Sequence, residues 1–319
     1  MAGPRQADVA RMAGVSQSAV SRVVSGDVDR IPVETQQRVR AAVKQLGYVP
    51  NAAARSLRGK RNRLVGVHTF EPVFPHARED FYFEFLLGIE ERAEEVGYDL
   101  VLFTSTGTRD GRRRIYRDGT NRLNLADGSV LLGVATDRDE LARLWREGYL
   151  FVHIGRREVP DAEIPCIVPD YASAAERIVQ ELWDRGHRRF GYLREDNNVE
   201  PYVDRRAGYR AAIERLGARD DLADATAVVA ESVRLAEELR NALAVRGLSI
   251  PGDVSVALLD GAGDNHWTRL SIPRRQIGRL AIDALIARIE NPEAPAVSQL
   301  VTCDLVPGET IAAPPRAEE

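Results

Sequence analysis

From Leu64 onward, short apolar runs of strand length alternate with stretches whose apolar residues recur at helical spacing. No other feature constrains the fold as much, because strands joined through helices pair in parallel and bury both faces of their sheet. Leu64-Val65-Gly66-Val67 opens the series, followed by a helix from about Phe83 to Val96 and a strand from Asp99 to Phe103. Next come a strand from Gly128 to Leu132, a helix from Arg138 to Glu147 and a strand from Leu150 to Ile154. The second half repeats the theme: helix Tyr171 to Arg185, strand Arg189 to Leu193, helix Arg205 to Leu216, helix Val233 to Val245 and strand Val254 to Leu259. A late helix from Arg275 to Ile289 gathers Ile277, Leu280, Ala281, Leu285 and Ile289 on one face. The alternation predicts two α/β subdomains with parallel sheets, and a small ligand in the crevice between them.

The first sixty residues follow a different rule. A helix from Ala7 to Ala13 places Val9, Ala10 and Ala13 together; Gly14-Val15-Ser16 then turns the chain, with Ser16 able to cap a second helix. That helix, Gln17 to Val24, is expected to bury Val20 and Val24 and to leave Gln17, Ser18, Ser21 and Arg22 outside. A third helix runs from about Val33 to Leu46, with Pro32 at its start and Gly47 at its stop. Two helices joined by so short a turn and backed by a third make either a helix-turn-helix or a plain three-helix bundle. In the first case the second helix lies in the DNA major groove, where Gln17 can bond adenine and Arg22 guanine or phosphate.

Charge leans the same way without deciding it. Residues 1–63 hold 12 of the 44 Lys/Arg but only 4 of the 48 Asp/Glu, so a basic head sits on an acidic body within a net charge of −4. Such a head gains by releasing counterions from phosphates, although a solvated basic face has the same composition.

The motifs Asp8-Val9-Ala10, Ala13-Gly14-Val15-Ser16, Ala19-Val20-Ser21-Arg22-Val23-Val24, Leu46-Gly47-Tyr48-Val49-Pro50-Asn51 and Ala54-Arg55-Ser56-Leu57 keep a fixed order and spacing. In this the chain resembles the head and hinge of the LacI–GalR family of repressors. The resemblance implies DNA contacts from Ser16, Gln17, Ser18, Ser21 and Arg22. It also implies a hinge helix, with Asn51, Ala54, Arg55 and Leu57 in the minor groove and Leu57 wedged between base pairs. Arg5, Ser25 and Pro32 depart from the family pattern. Weaker motifs continue the likeness into the body, including Gly88-Ile89-Glu90, Arg185-Gly186-His187 and Ala207-Gly208-Tyr209. They imply a periplasmic-binding-protein-like sensor in which Phe81, Tyr82, Arg205 and Asp260 meet the effector. Core aromatics and an Arg–Asp surface pair are the structural alternatives for those four. Gly155, Ile272 and Ser232 stand where the family often has polar pocket groups, and Glu71 to Glu79 inserts into the first cleft loop. Ahead of Val254 about one strand-plus-helix unit of ~30 residues is missing, so the second subdomain is expected to be trimmed.

The expected organisation is a helix-turn-helix domain at 1–50, a hinge and basic linker at 51–63 and a sensor at 64–319. The expected function is sequence-specific transcriptional regulation, as a repressor, by a homodimer that binds double-stranded operator DNA and a small effector, a sugar or related metabolite. A transport solute-binding protein is the alternative. The N-terminus lacks the apolar stretch of a signal peptide and no run reaches membrane-spanning length, which points to the cytoplasm. Five scattered histidines and two distant cysteines offer no metal-ligand spacing, and no phosphate loop or nucleophile motif appears. No enzyme activity, metal or cofactor is expected.

Overall fold

The computed structural model describes residues 4–24, 28–48, 61–71, 81–104, 113–134, 136–260 and 266–315. The chain divides into two compact units, Met1–Asn62 and Arg63–Glu319.

In the first unit α1 (Gln6–Ala13), α2 (Gln17–Val24) and α3 (Val33–Leu46) close on a core of Val9, Ala10, Ala13, Val20, Val23, Val39 and Ala42. Gly14 turns the chain in the left-handed region at φ 65°, where a side chain would be strained. The Ser16 hydroxyl then accepts a bond from the Ala19 backbone N–H at 3.2 Å, capping α2. Asp8 ties down the other helix start, its carboxylate accepting from the Arg5 backbone N–H at 2.9 Å. One expectation needs correction: Val23, not Val24, joins Val20 as the fully buried pair of α2. The i, i+3 pair points straight at α1 and α3, and Val24 packs half-buried at the rim.

The second unit runs β1 (Leu64–Thr69), α4 (Phe83–Glu95), β2 (Asp99–Phe103), a small hairpin β3–β4 (Tyr116–Arg117, Thr120–Asn121), β5 (Gly128–Leu132), α5 (Arg138–Arg146), β6 (Phe151–Ile154) and β7 (Cys166–Pro169). There follow α6 (Tyr171–Asp184), β8 (Arg189–Leu193), α7 (Glu200–Leu216), β9 (Arg219–Asp220), β10 (Ala227–Ala230), α8 (Val233–Val245), β11 (Ser255–Leu258) and β12 (Thr268–Ser271). Last come α9 (Arg274–Glu290), β13 (Ser298–Val301) and β14 (Asp304–Val306). Among the described residues two six-stranded sheets form, in the orders β13-β7-β6-β5-β1-β2 and β14-β12-β11-β10-β8-β9. Within these two sheets every pairing is parallel except β12 with β14. Each sheet therefore takes strands from early and late in the chain, and the backbone passes from one subdomain to the other three times, between β7 and α6, β12 and α9, and β13 and β14.

Packing follows from the apolar faces. Helices α4 and α9 lie together on the first sheet, and α6 and α7 on the second. Helix α7 begins at Glu200, a turn earlier than its apolar pattern indicates, because Pro201 is favourable in a first turn. Strands β9 and β10, on either side of β8, are joined by the six residues 221–226 with a single 3-10 turn, Leu222–Asp224, in place of a crossover helix. The short connection lies over β8 at Gly191, where an added Cβ would come within 2.7 Å of Leu222 Cδ1.

Candidate functional site

Two surfaces carry the residues singled out from sequence. On the head, Ser16, Gln17 and Ser18 are exposed around the first turn of α2, and Ser21 and Arg22 are half-buried further along. The Ser16 and Ser18 hydroxyls share a hydrogen bond at 2.8 Å, and the Gln17 carbonyl accepts one from Gln6 Nε2 at 3.3 Å. These bonds brace the turn while the buried side of the helix holds Val20 and Val23. Asn51, Ala54, Arg55 and Leu57 lie outside the described residues.

The other surface is a cavity of about 340 Å³ between the two subdomains of the second unit. Phe81, Tyr82, Arg205 and Asp260 all line it. Phe81 and Tyr82 stand at the start of α4 with their rings edge to face, centroids 5.3 Å apart. The Tyr82 hydroxyl donates to Glu71, whose carboxylate also accepts from the Val134 backbone N–H at 3.0 Å. Burial and the Glu71 charge push this phenol far above its ordinary range. Arg205 projects from α7 and is 3% exposed. Its guanidinium lies over the Tyr171 ring at 4.5 Å and reaches Asp260 Oδ2 at 3.3 Å. Burial works against its charge, but Asp260 beside it holds its pKa above the usual value.

Four further residues escaped the sequence reading. Tyr171 and Tyr202 add aromatic walls; burial drives the Tyr171 phenol up to about 12. Arg157 lines the floor, 6% exposed, donating from Nε to the Thr136 hydroxyl at 3.2 Å and from Nη2 to the Gly133 carbonyl at 2.6 Å. Gly155 makes room for it: at φ 89° and without a side chain, it leaves a space whose Cβ position is 3.4 Å from Arg157 Nη1. The clue was the Arg156-Arg157 pair just beyond the carboxyl end of a parallel strand, where α/β sheets place ligand groups. Arg274 is not among the lining residues but backs them: it opens α9, donates to Asp260 Oδ1 at 2.9 Å and lies 4.6 Å over the Phe81 ring. Ser232 and Ile272, read as altered pocket positions, do not line the cavity; Ser232 caps α8 and Ile272 is core. Among the described residues no group of three or more His, Cys, Asp or Glu is placed to hold a metal, and no helix is long and apolar enough to cross a membrane.

Comparison with known proteins supplies the family. Residues 7–51 match the model for bacterial regulatory proteins of the lacI family, and residues 179–311 match the periplasmic binding protein-like domain. The transcriptional regulator CelR of Thermobifida fusca is 29% identical across 88% of this chain and 90% of its own. The maltose regulon regulatory protein MalI of Escherichia coli is 32% identical across 66% of this chain and 59% of its own. The chain belongs to the LacI family. Among solved structures, a lac repressor dimer bound to operator and the anti-inducer ONPF shares the fold at a TM-score of 0.71, with 22% identity over 98% of this chain and 100% of that one. A CelR–cellobiose complex does so at 0.62, with 24% identity over 96% and 99%. As a family member this chain is a DNA-binding transcriptional regulator with an effector-binding module. The alternative of a transport solute-binding protein falls, because the head matches a regulator.

Proposed function

We propose that the chain acts in the cytoplasm as a homodimeric, non-catalytic repressor whose grip on a near-palindromic operator is set by a sugar or related metabolite bound between the sensor subdomains. The head occupies residues 1–50, a hinge and basic linker 51–63 and the sensor 64–319. Ser16, Gln17, Ser18, Ser21 and Arg22 face the major groove, while Asn51, Ala54, Arg55 and Leu57 enter the minor groove. Phe81, Tyr82, Arg205 and Asp260 hold the effector. The observation that carries the DNA reading is the two-sidedness of α2: Val20 and Val23 are locked inward, while Gln17 and Ser18 in its first turn are exposed. The CelR structure with cellobiose supports a sugar-like effector.

The test is footprinting of the full chain on the DNA upstream of its own gene, across a salt series. A protected site with two half-sites one or more helical turns of ~34–36 Å apart is expected, with affinity falling steeply as salt rises. Gln17→Ala should weaken that site by about 1–3 kcal/mol and relax one base position, leaving binding to random DNA unchanged. A footprint indifferent to both salt and Gln17 overturns the reading.

A further inference from the structure

Five tyrosines of the second unit end on a fixed partner. The hydroxyl of Tyr82 donates to Glu71, that of Tyr116 to Glu147 at 2.7 Å and that of Tyr192 to Glu231 at 2.7 Å. Tyr209 reaches Asp220 at 2.7 Å, and Tyr149 the Leu123 carbonyl at 2.8 Å. Tyr171 and Tyr202 end on no such partner among the described residues, and both line the cavity. Tyr202 is half-buried, where water can serve its hydroxyl; Tyr171 is 5% exposed. The Tyr171 hydroxyl is not sealed within the protein as Arg205 Nε is. What little of the residue stays open therefore includes that oxygen, and it opens on the cavity whose wall the ring forms.

The phenol is also held still. Asp170 caps α6 by accepting from the Ser173 backbone N–H at 3.1 Å, which fixes Tyr171 as the first residue of that helix. This places it just beyond the carboxyl end of β7, where parallel sheets present groups to ligands. Across the ring the Arg205 guanidinium lies at 4.5 Å. Burial keeps the phenol neutral, so it can donate one hydrogen bond and accept another. A hydroxyl withdrawn from water without a partner is destabilising, and a ligand hydroxyl that meets it removes that cost. A site built around such a group rejects an analogue that lacks the matching hydroxyl. We propose that Tyr171 determines specificity in this cavity: its hydroxyl pairs with one ring hydroxyl of a sugar effector, and the deoxy sugar without that hydroxyl is refused. This rests on the reading of the cavity as the effector site.

Titration calorimetry on the full chain tests it with D-glucose and D-galactose, each beside its 2-, 3-, 4- and 6-deoxy analogues. One parent sugar should bind about ten- to hundredfold more tightly than one of its analogues, the difference that an unpaired buried hydroxyl makes. Tyr171→Phe keeps the ring beneath Arg205 and removes only the oxygen. In that variant the ratio should collapse towards unity, with the loss falling on the parent sugar and the analogue unchanged within about twofold. The thermal midpoint without ligand should stay where it is or rise, whereas a purely structural hydroxyl would lower it and leave the ratio alone. A preference for the parent that survives in Y171F, or an equal loss for parent and analogue, overturns the proposal and leaves the effector site standing. Silence from both parent sugars in a chain that is folded by circular dichroism removes the hexose reading of the site and the proposal with it.

Discussion

His68 on β1 and His153 on β6 share a level of the first sheet with Leu131 of β5 between them, and both are fully buried on either side of Phe70. His153 is satisfied, with Nδ1 2.8 Å from the Gly155 carbonyl and Nε2 3.3 Å from the Thr136 hydroxyl. Neither ring nitrogen of His68 has a partner. Burial, reinforced by nearby arginines, lowers their pKa values to about 4 for His68 and about 3 for His153. The unfolded chain therefore binds more protons below its histidine pKa of 6.5. Stability is fully present above that pH and drains away as pH falls towards 4, by up to about 1.4 kcal/mol per unit per histidine. Urea midpoints at pH 7.5 and pH 5.5 should show this loss, and His153→Gln should remove roughly half of the slope. An equal slope in that variant would show that the proton uptake happens elsewhere.

Helix crossings set the next scale, and two glycines decide the main one. At Gly88 on α4 an added Cβ would lie 2.0 Å from the Arg275 carbonyl oxygen, and at Gly278 on α9 2.3 Å from that of Phe85. The two backbones meet there, on the sheet that forms one wall of the cavity. Gly88→Val should force them apart at a cost of at least about 1–3 kcal/mol, seen as a lower thermal midpoint with Gly88→Ala in between; an unchanged melt would mean the helices pass at some other point. How much of this was legible in the sequence depends on what each pattern encodes. The 3.6 period showed that α4 and α9 have apolar faces, but which helix meets which is a long-range fact that no local pattern carries. Strands β7, β10 and β12 are four-residue runs, too short for periodicity to separate from helix or loop. The shortness of the stretch after Gly217 was legible as length, and the 3-10 turn that lies over Gly191 was not. Arg205 and Asp260 were readable because they sit at motif positions. Arg274 was not: from sequence it is one more arginine in a basic first turn, and only the fold brings it to Asp260, 14 residues away.

At the scale of the whole sensor, what matters is how the two subdomains hold one another. Three arginines of the first grip two carboxylates in the first turns of α7. Arg156 Nη2 reaches Asp204 Oδ1 at 2.6 Å, and Arg138 and Arg157 converge on Glu200, which also accepts from the Glu158 backbone N–H at 3.0 Å. Burial opposes the charge on Glu200, but these donors overcome it and hold its carboxyl down at about 2. Arg157 belongs both to this clamp and to the cavity floor, so a ligand that moves Arg157 also acts on the contact between subdomains. An effector can shift that contact only by its differential affinity for the two arrangements, and typical couplings of ~1–3 kcal/mol are within reach of one such pair. Glu200→Gln combined with Asp204→Asn should therefore loosen the clamp without touching Arg205, Arg274 or Asp260. Hydrogen exchange should quicken at the Glu158 amide and through the start of α7, while β5 and β11 in the sheet interiors keep their protection. In the same protein, operator affinity without effector should move towards the value that effector produces in the wild type. Fast exchange with unaltered operator binding would place the link to DNA in another part of the sensor, and slow exchange would mean that the clamp does not hold the subdomains together.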